Sequence, residues 1–249
     1  MPTVVARWRQ QDRIIRDSDV DQMLEKLKES EASQSPLIYN STRKDGVERS
    51  EKLFVDYNMV KCLLCLLYVF GRRIRGVLRL KREDFWMKRG YLYVRFTILK
   101  KARRKDELKP RTRVKRVNIK KQWKYTQHIL DYISTIKNPE ANLFPGRSRT
   151  HVLKVKRRDE NGEILKTYRY EMTASGLMSR QRAYKIIKAL NPNVYPHWFR
   201  HSLATQLAEE GIDAWQLMNW FDWDRFSTAK RYVAGTAAMT RDISNREIG

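Results

Sequence analysis

His197 and Arg200 stand three residues apart in YPHWFRHS, a spacing that places both on one face of a helix. A guanidinium is a planar, permanently charged fork that pairs bidentately with phosphate or carboxylate oxygens, and an imidazole can take or hold a proton near neutral pH. Such a pair recurs in many proteins as a cap beside a surface charge, so alone it decides nothing. Upstream, GRRIRGVLRL offers Arg72, Arg73 and Arg75; downstream, Tyr232 in STAKRYV carries a phenol that becomes a nucleophile once its proton leaves. Cys62 and Cys65 sit three apart inside the apolar run MVKCLLCLLYVF. Two thiols are too few for a zinc site, and a helix interior makes them inert packing residues rather than a redox pair. With no Gly-rich phosphate loop in the chain, the available chemistry is oxyanion binding and proton transfer, with neither metal nor cofactor expected.

Composition narrows the partner. The chain has 249 residues, 52 Lys and Arg against 28 Asp and Glu, and a net charge of +24. A surface of this kind attracts polyanions, and double-stranded DNA leads the candidates. No apolar run is long enough to span a bilayer, neither end carries a basic amphipathic helix, and the first residues lack a secretory pattern, so no membrane role is expected. The expected location follows from the host: cytoplasmic and nucleoid-associated in a prokaryote or virus, nuclear in a eukaryote. At 41% hydrophobic content, one substantial core fits.

The elements that must position these residues are readable in outline. RDSDVDQMLEKLKES predicts an amphipathic helix with Val20, Met23, Leu24 and Leu27 on its apolar face and Ser18 as cap. The stretch from about Glu29 to Glu51, rich in Ser, Lys and Glu, reads as a solvated connection. A buried helix ends near Gly71. GYLYVRFTI and RVKRVNI are β-type runs on either side of the cationic stretch KKARRKDELKPRTR, a hairpin with a long basic loop. KKQWKYTQHILDYISTI has helical spacing. HVLKVKRRDENGEILKTYRYE predicts a second hairpin turning at Asn161 and Gly162, whose Lys and Arg would add duplex contacts. From about Thr173 to Gly235 short helices are expected, broken at Asn191 and Pro192, at Gly211 and near Asp222. Trp215 and Trp220 read as core anchors, and His128, His151 and His201 as structural, although His201, next to Arg200, could also line a site there. The class is α+β, mainly helical, with small antiparallel sheets.

Taken in order, these blocks resemble the catalytic domain of the tyrosine recombinase (phage-type integrase) family. The second block of that family has an H-x-x-R-H opening, a helix of small residues, a closing Gly and a terminal tyrosine, here His197, Arg200, His201, Gly211 and Tyr232, with Trp223 where the family has His or Trp. The first block, G-x-R ending an apolar helix and running into L-K/R-x-x-D, is matched by GRRIRGVLRLKREDF with Arg73 in register and Leu80, Lys81 and Asp84 as scaffold; Arg72 and Arg75 lie close enough to keep the choice open. The acidic residue common shortly after this arginine is replaced by Gly76, so one supporting contact must come from elsewhere.

The resemblance implies metal-independent cleavage and religation of DNA through a 3′-phosphotyrosyl intermediate. Tyr232 would be the nucleophile, Arg73 and Arg200 the clamp on the nonbridging oxygens, His197 a proton acceptor or phosphate ligand, and Trp223 a hydrogen-bonding wall. The family takes the leaving-group proton from a lysine in a hairpin loop; Lys100, Lys101 and Lys105 are candidates, with Lys100 first in the turn. It also implies a homotetramer on paired DNA sites, held by a tail from about residue 234. On this reading residues 1–249 are one catalytic domain, a linker running to about residue 17, and the family's N-terminal core-binding domain is expected to be absent. A type IB topoisomerase and a noncatalytic DNA-binding protein on the same fold are the alternatives.

Overall fold

The computed structural model describes residues 14–42, 45–98, 112–158 and 163–234, with backbone alone across most of 147–175. Helix α1 (Asp17–Ala32) buries Val20, Met23 and Leu27 as expected. Its first turn differs from expectation: Arg16 is the cap, and the Asp19 carboxylate accepts the Arg16 amide at 3.0 Å. Ser18 therefore lies within the helix. Asp17 and Asp19 place negative charge at the positive end of the helix dipole.

The connection expected between Glu29 and Glu51 is instead structured. α1 runs on to Ala32, and strands β1 (Leu37–Thr42) and β2 (Glu48–Leu53) pair antiparallel. Only the register partners Leu37 and Leu53 are buried in this hairpin, so its polar composition conceals it from pattern reading. Its stability comes from packing against a later helix, with Lys185 paired to Glu51.

Helix α2 (Tyr57–Phe70) is the centre of the core. Asp56 caps it through the Met59 amide at 3.0 Å, and every residue from Cys62 to Phe70 is buried. Each large apolar side chain sunk here contributes on the order of 1.5–3 kcal/mol. Cys62 and Cys65 are free, buried and raised in pKa by burial, which leaves them inert thiols. The helix stops at Gly71, whose φ of 57° and tight surroundings both require glycine: an added Cβ would meet Phe221 at 2.8 Å and Leu203 at 2.9 Å.

Past the short helix α3 (Ile74–Val77), strands β3 (Phe85–Lys88), β4 (Tyr91–Thr97) and β5 (Thr112–Asn118) form a three-stranded antiparallel sheet in the order β3-β4-β5. Arg89 and Gly90, both at positive φ, make the tight β3–β4 turn. The β4–β5 pair is the expected basic-loop hairpin, and the loop from Leu99 to Arg111, with Lys100, Lys101 and Lys105, lies outside the described residues. Helix α4 (Trp123–Thr135) packs on α2.

The second hairpin is longer than expected. β6 (Pro145–Arg158) and β7 (Ile164–Leu177) stay paired from Pro145 opposite Leu177 outward, so β7 occupies residues 173–177, where helices were expected to begin. Its turn at Asn161 and Gly162 falls outside the described residues. Four helices then follow, α5 (Arg180–Leu190), α6 (Pro196–Glu209), α7 (Ala214–Phe221) and α8 (Phe226–Val233). Their breaks fall at the expected residues. Pro196 opens α6 at its first position, and Gly211 follows α6 with φ 90°. A second apolar cluster joins α6, α7 and α8. Trp215 is not the core anchor expected of it: it is 61% exposed and packs against Phe226, itself partly exposed. No helix among the described residues is long and apolar enough to cross a membrane.

Candidate active site

The end of α2, the start of α6 and the end of α7 meet in one place. Arg200, near the start of α6, is almost fully buried at 3% exposure. Its guanidinium donates to the Gly71 carbonyl at 3.2 Å and to the Phe221 carbonyl, and lies over the rings of Phe221 at 4.8 Å and Trp223 at 5.4 Å. The turn after α2 is thereby tied to the turn after α7. Burial, then the nearby Arg73 and Arg72, push the Arg200 pKa down to about 9, still protonated at neutral pH.

Arg73 caps α3 and is half-buried, its pKa lowered by burial and by Arg72, with Asp222 and Asp224 acting the other way. Arg73, His197 and Arg200 line one cavity of about 310 Å³, together with Arg75 and Arg180. Arg72 reaches the same cavity wall, but its guanidinium donates to the Trp220 carbonyl at 2.8 Å and pairs with Asp222. Strand β4 delivers Thr97 and the adjoining Ile98 to the cavity.

Tyr232, on α8, is not part of that wall. Its ring stacks on Trp223 at 5.1 Å and 7°, and its hydroxyl lies 3.1 Å from Nδ1 of His201. Burial raises its pKa, while Arg200 and Arg231 oppose the rise. Trp223 thus lies between two of the predicted residues, touching Arg200 and Tyr232. The His201 pKa is lowered by burial, which keeps the imidazole neutral and able to accept a proton.

Of the residues read from sequence, Arg73, His197 and Arg200 share one cavity and Tyr232 connects to Arg200 through Trp223, while Lys100 lies outside the described residues. Sequence reasoning missed Asp222, Lys115 and Arg180, and offered His201 only as a structural residue that could line the site beside Arg200. Only Asp222 left a trace, since it marks a helix end, but nothing in the sequence pairs it with Arg72.

The phage integrase family model matches residues 47–239, most of the chain. The chain belongs to the phage integrase family. Comparison with curated protein sequences found no match. Among solved structures, the XerH site-specific recombinase bound to difH substrate, in a pre-cleavage complex, is similar at a TM-score of 0.51 and 12% identity over 93% of this chain and 53% of that one. XerA recombinase gives 0.48 at 13% identity, over 94% of this chain and 66% of that one. The Tn1549 transposon integrase with circular intermediate DNA gives 0.49 at 16%, over 94% and 65%. This integrase-family chain spans about half the length of the XerH recombinase, whose fold it shares. Its Arg73 follows the apolar helix two residues after Gly71 and lines the same cavity as His197 and Arg200.

Proposed function

We propose that this chain is the catalytic domain of a tyrosine recombinase, cutting and rejoining duplex DNA at specific sites. The observation that carries the reading is the shared cavity of Arg73, His197 and Arg200, with Tyr232 joined to it through Trp223. A scissile phosphate seated there meets two guanidinium groups able to neutralise charge that builds on its nonbridging oxygens. The Tyr232 oxygen then bonds to phosphorus as the bond to the 5′-oxygen breaks. The tyrosine proton passes to a neighbouring imidazole, His201 beside the hydroxyl or His197 at the cavity, and the 5′-oxygen takes a proton from Lys100. Religation is the reverse with another 5′-hydroxyl, and the phosphotyrosine bond retains the energy it needs.

On this reading, residues from about 18 to 233 make the catalytic domain, with a linker before and a tail after. The exposed Trp215 and Phe226 form an apolar pair suited to contact between protomers, in keeping with a homotetramer on paired DNA sites. The β6–β7 ribbon adds duplex contact: its register sets Lys154 opposite Arg169 and Arg157 opposite Lys166, and a two-stranded ribbon fits the major groove. The enzyme would work wherever its DNA is, nucleoid or nucleus.

Incubation with a nicked suicide duplex followed by denaturing electrophoresis tests the proposal. A covalent protein–DNA band is expected, and it should vanish in Tyr232→Phe while salt-sensitive DNA binding persists. Recombinant junctions among the products distinguish strand exchange from relaxation alone. A Tyr232→Phe chain that still forms the adduct would refute the assignment.

A further inference from the structure

Helix α7 ends in an arrangement that phosphate binding alone does not explain. Its last three carbonyls, on Asn219, Trp220 and Phe221, each accept from a cationic side chain of a different segment: Lys115 of β5 at 2.7 Å, Arg72 after α2 at 2.8 Å, and Arg200 of α6. Such carbonyls lack partners within their helix and carry the negative end of its dipole, so cations there are favourable. Asp222 follows with φ 50°, a left-handed conformation that glycine adopts freely and other residues adopt at a cost of about 1 kcal/mol or more. Its carboxylate pairs with Arg72 and lies 3.5 Å from Lys115, and none of the three side chains exceeds 10% exposure. An aspartate at this turn costs backbone energy that its ion pair with Arg72 offsets. Next to it stand Trp223, which touches both Arg200 and Tyr232, and on its other flank Phe221, whose carbonyl holds Arg200.

We propose that Asp222 is a positioning residue for the phosphate cavity: its carboxylate gathers Arg72 and Lys115 onto the end of α7, fixing that turn and leaving Arg73 and Arg200 as the guanidinium pair presented to DNA. This rests on the recombinase reading for its chemistry, but the charge lock itself does not. Without the carboxylate, Arg72 is a buried cation beside Arg73 and Arg200 with no counter-charge, and repulsion among the three displaces the clamp. Removing Arg72 as well removes most of the conflict, because Arg72 is the cation that acts on Arg73 and Arg200, while Lys115 keeps the Asn219 carbonyl; losing both members of a buried pair is far less harmful than losing one.

Asp222→Gly separates backbone from charge, since glycine suits the turn better than aspartate does. We expect Asp222→Gly to bind duplex DNA as tightly as the wild type but to cleave the suicide duplex roughly tenfold more slowly or worse, and Asp222→Gly with Arg72→Leu to recover most of the rate. In thermal unfolding, Asp222→Gly should lower the midpoint clearly more when Arg72 is present than when Arg72 is Leu, where only the pairing with Lys115 is lost, whether or not the protein cleaves DNA. A change of equal size in both backgrounds overturns the lock. Asp222→Gly cleaving at the wild-type rate overturns the positioning role alone, whereas a wild-type chain that makes no adduct overturns the recombinase reading and the positioning role with it. Should Asp222→Gly fail to fold, the double variant decides: folding and cleavage restored support the proposal, and neither restored defeats it.

Discussion

The Tyr232 hydroxyl and Nδ1 of His201 lie 3.1 Å apart, while the ring of the same tyrosine stacks on Trp223. One interaction holds the oxygen and the other holds the ring face, and together they fix where the phenol points. His201 sits one turn along α6 from His197, so a single helix presents one imidazole to the cavity and another to the tyrosine.

If that hydrogen bond orients the nucleophile, His201→Ala slows adduct formation by about tenfold, equivalent to roughly 1.4 kcal/mol in the transition state. His201→Asn, which restores a polar group near Nδ1, recovers part of the rate. Single-turnover cleavage of the suicide duplex measures both. Equal rates in wild type and His201→Ala would show that the hydrogen bond holds only the resting state.

The pKa of His201 is lowered in the folded chain by burial, so the unfolded chain binds more protons between the lowered value and the ordinary imidazole value of about 6.5. Its contribution is full above that ordinary value and declines as pH falls through the lower folded one. Relative to His201→Asn, the wild type should therefore lose stability between about pH 8 and pH 5.5. Urea midpoints of the two proteins at both pH values give the answer; a gap that does not change with pH removes the imidazole from the balance.

Gly71 combines positive φ with close approach by Phe221 and Leu203. Gly71→Ala should cost about 1–3 kcal/mol in stability and, because the Gly71 carbonyl accepts from Arg200, slow cleavage as well. Chemical denaturation paired with the cleavage assay checks this. A stable but inactive variant would mean that the neighbouring side chains yield and only the clamp shifts.

On the β6–β7 ribbon the register sets Lys154 opposite Arg169 and Arg157 opposite Lys166, which gathers four cationic residues on one two-stranded element. Changing all four to Gln should weaken binding to a long duplex and reduce the dependence of log affinity on log salt by roughly one for each phosphate that is no longer neutralised. Covalent cleavage at saturating DNA should hardly change. An unaltered salt dependence would mean that the ribbon faces a protein instead.

The sequence by itself determined the local events: the apolar run of α2 and its stop at Gly71, the opening of α6 at Pro196, the break near Asp222, and the order of Arg73, His197, Arg200, Trp223 and Tyr232. Each depends on neighbours within a few residues, where periodicity, capping and fixed φ act directly. The β1–β2 hairpin escaped because its faces are polar and its support comes from α5, far along the chain. Only the tertiary structure decided that Arg72 is bound to Asp222 while Arg73 lines the cavity, since Arg72 and Asp222 lie 150 residues apart and adjacent arginines are indistinguishable by pattern. It also paired His201 with Tyr232. Burial assigns such roles: a charged or polar side chain withdrawn from water must find a specific partner, and which partner is within reach depends on how distant helices pack.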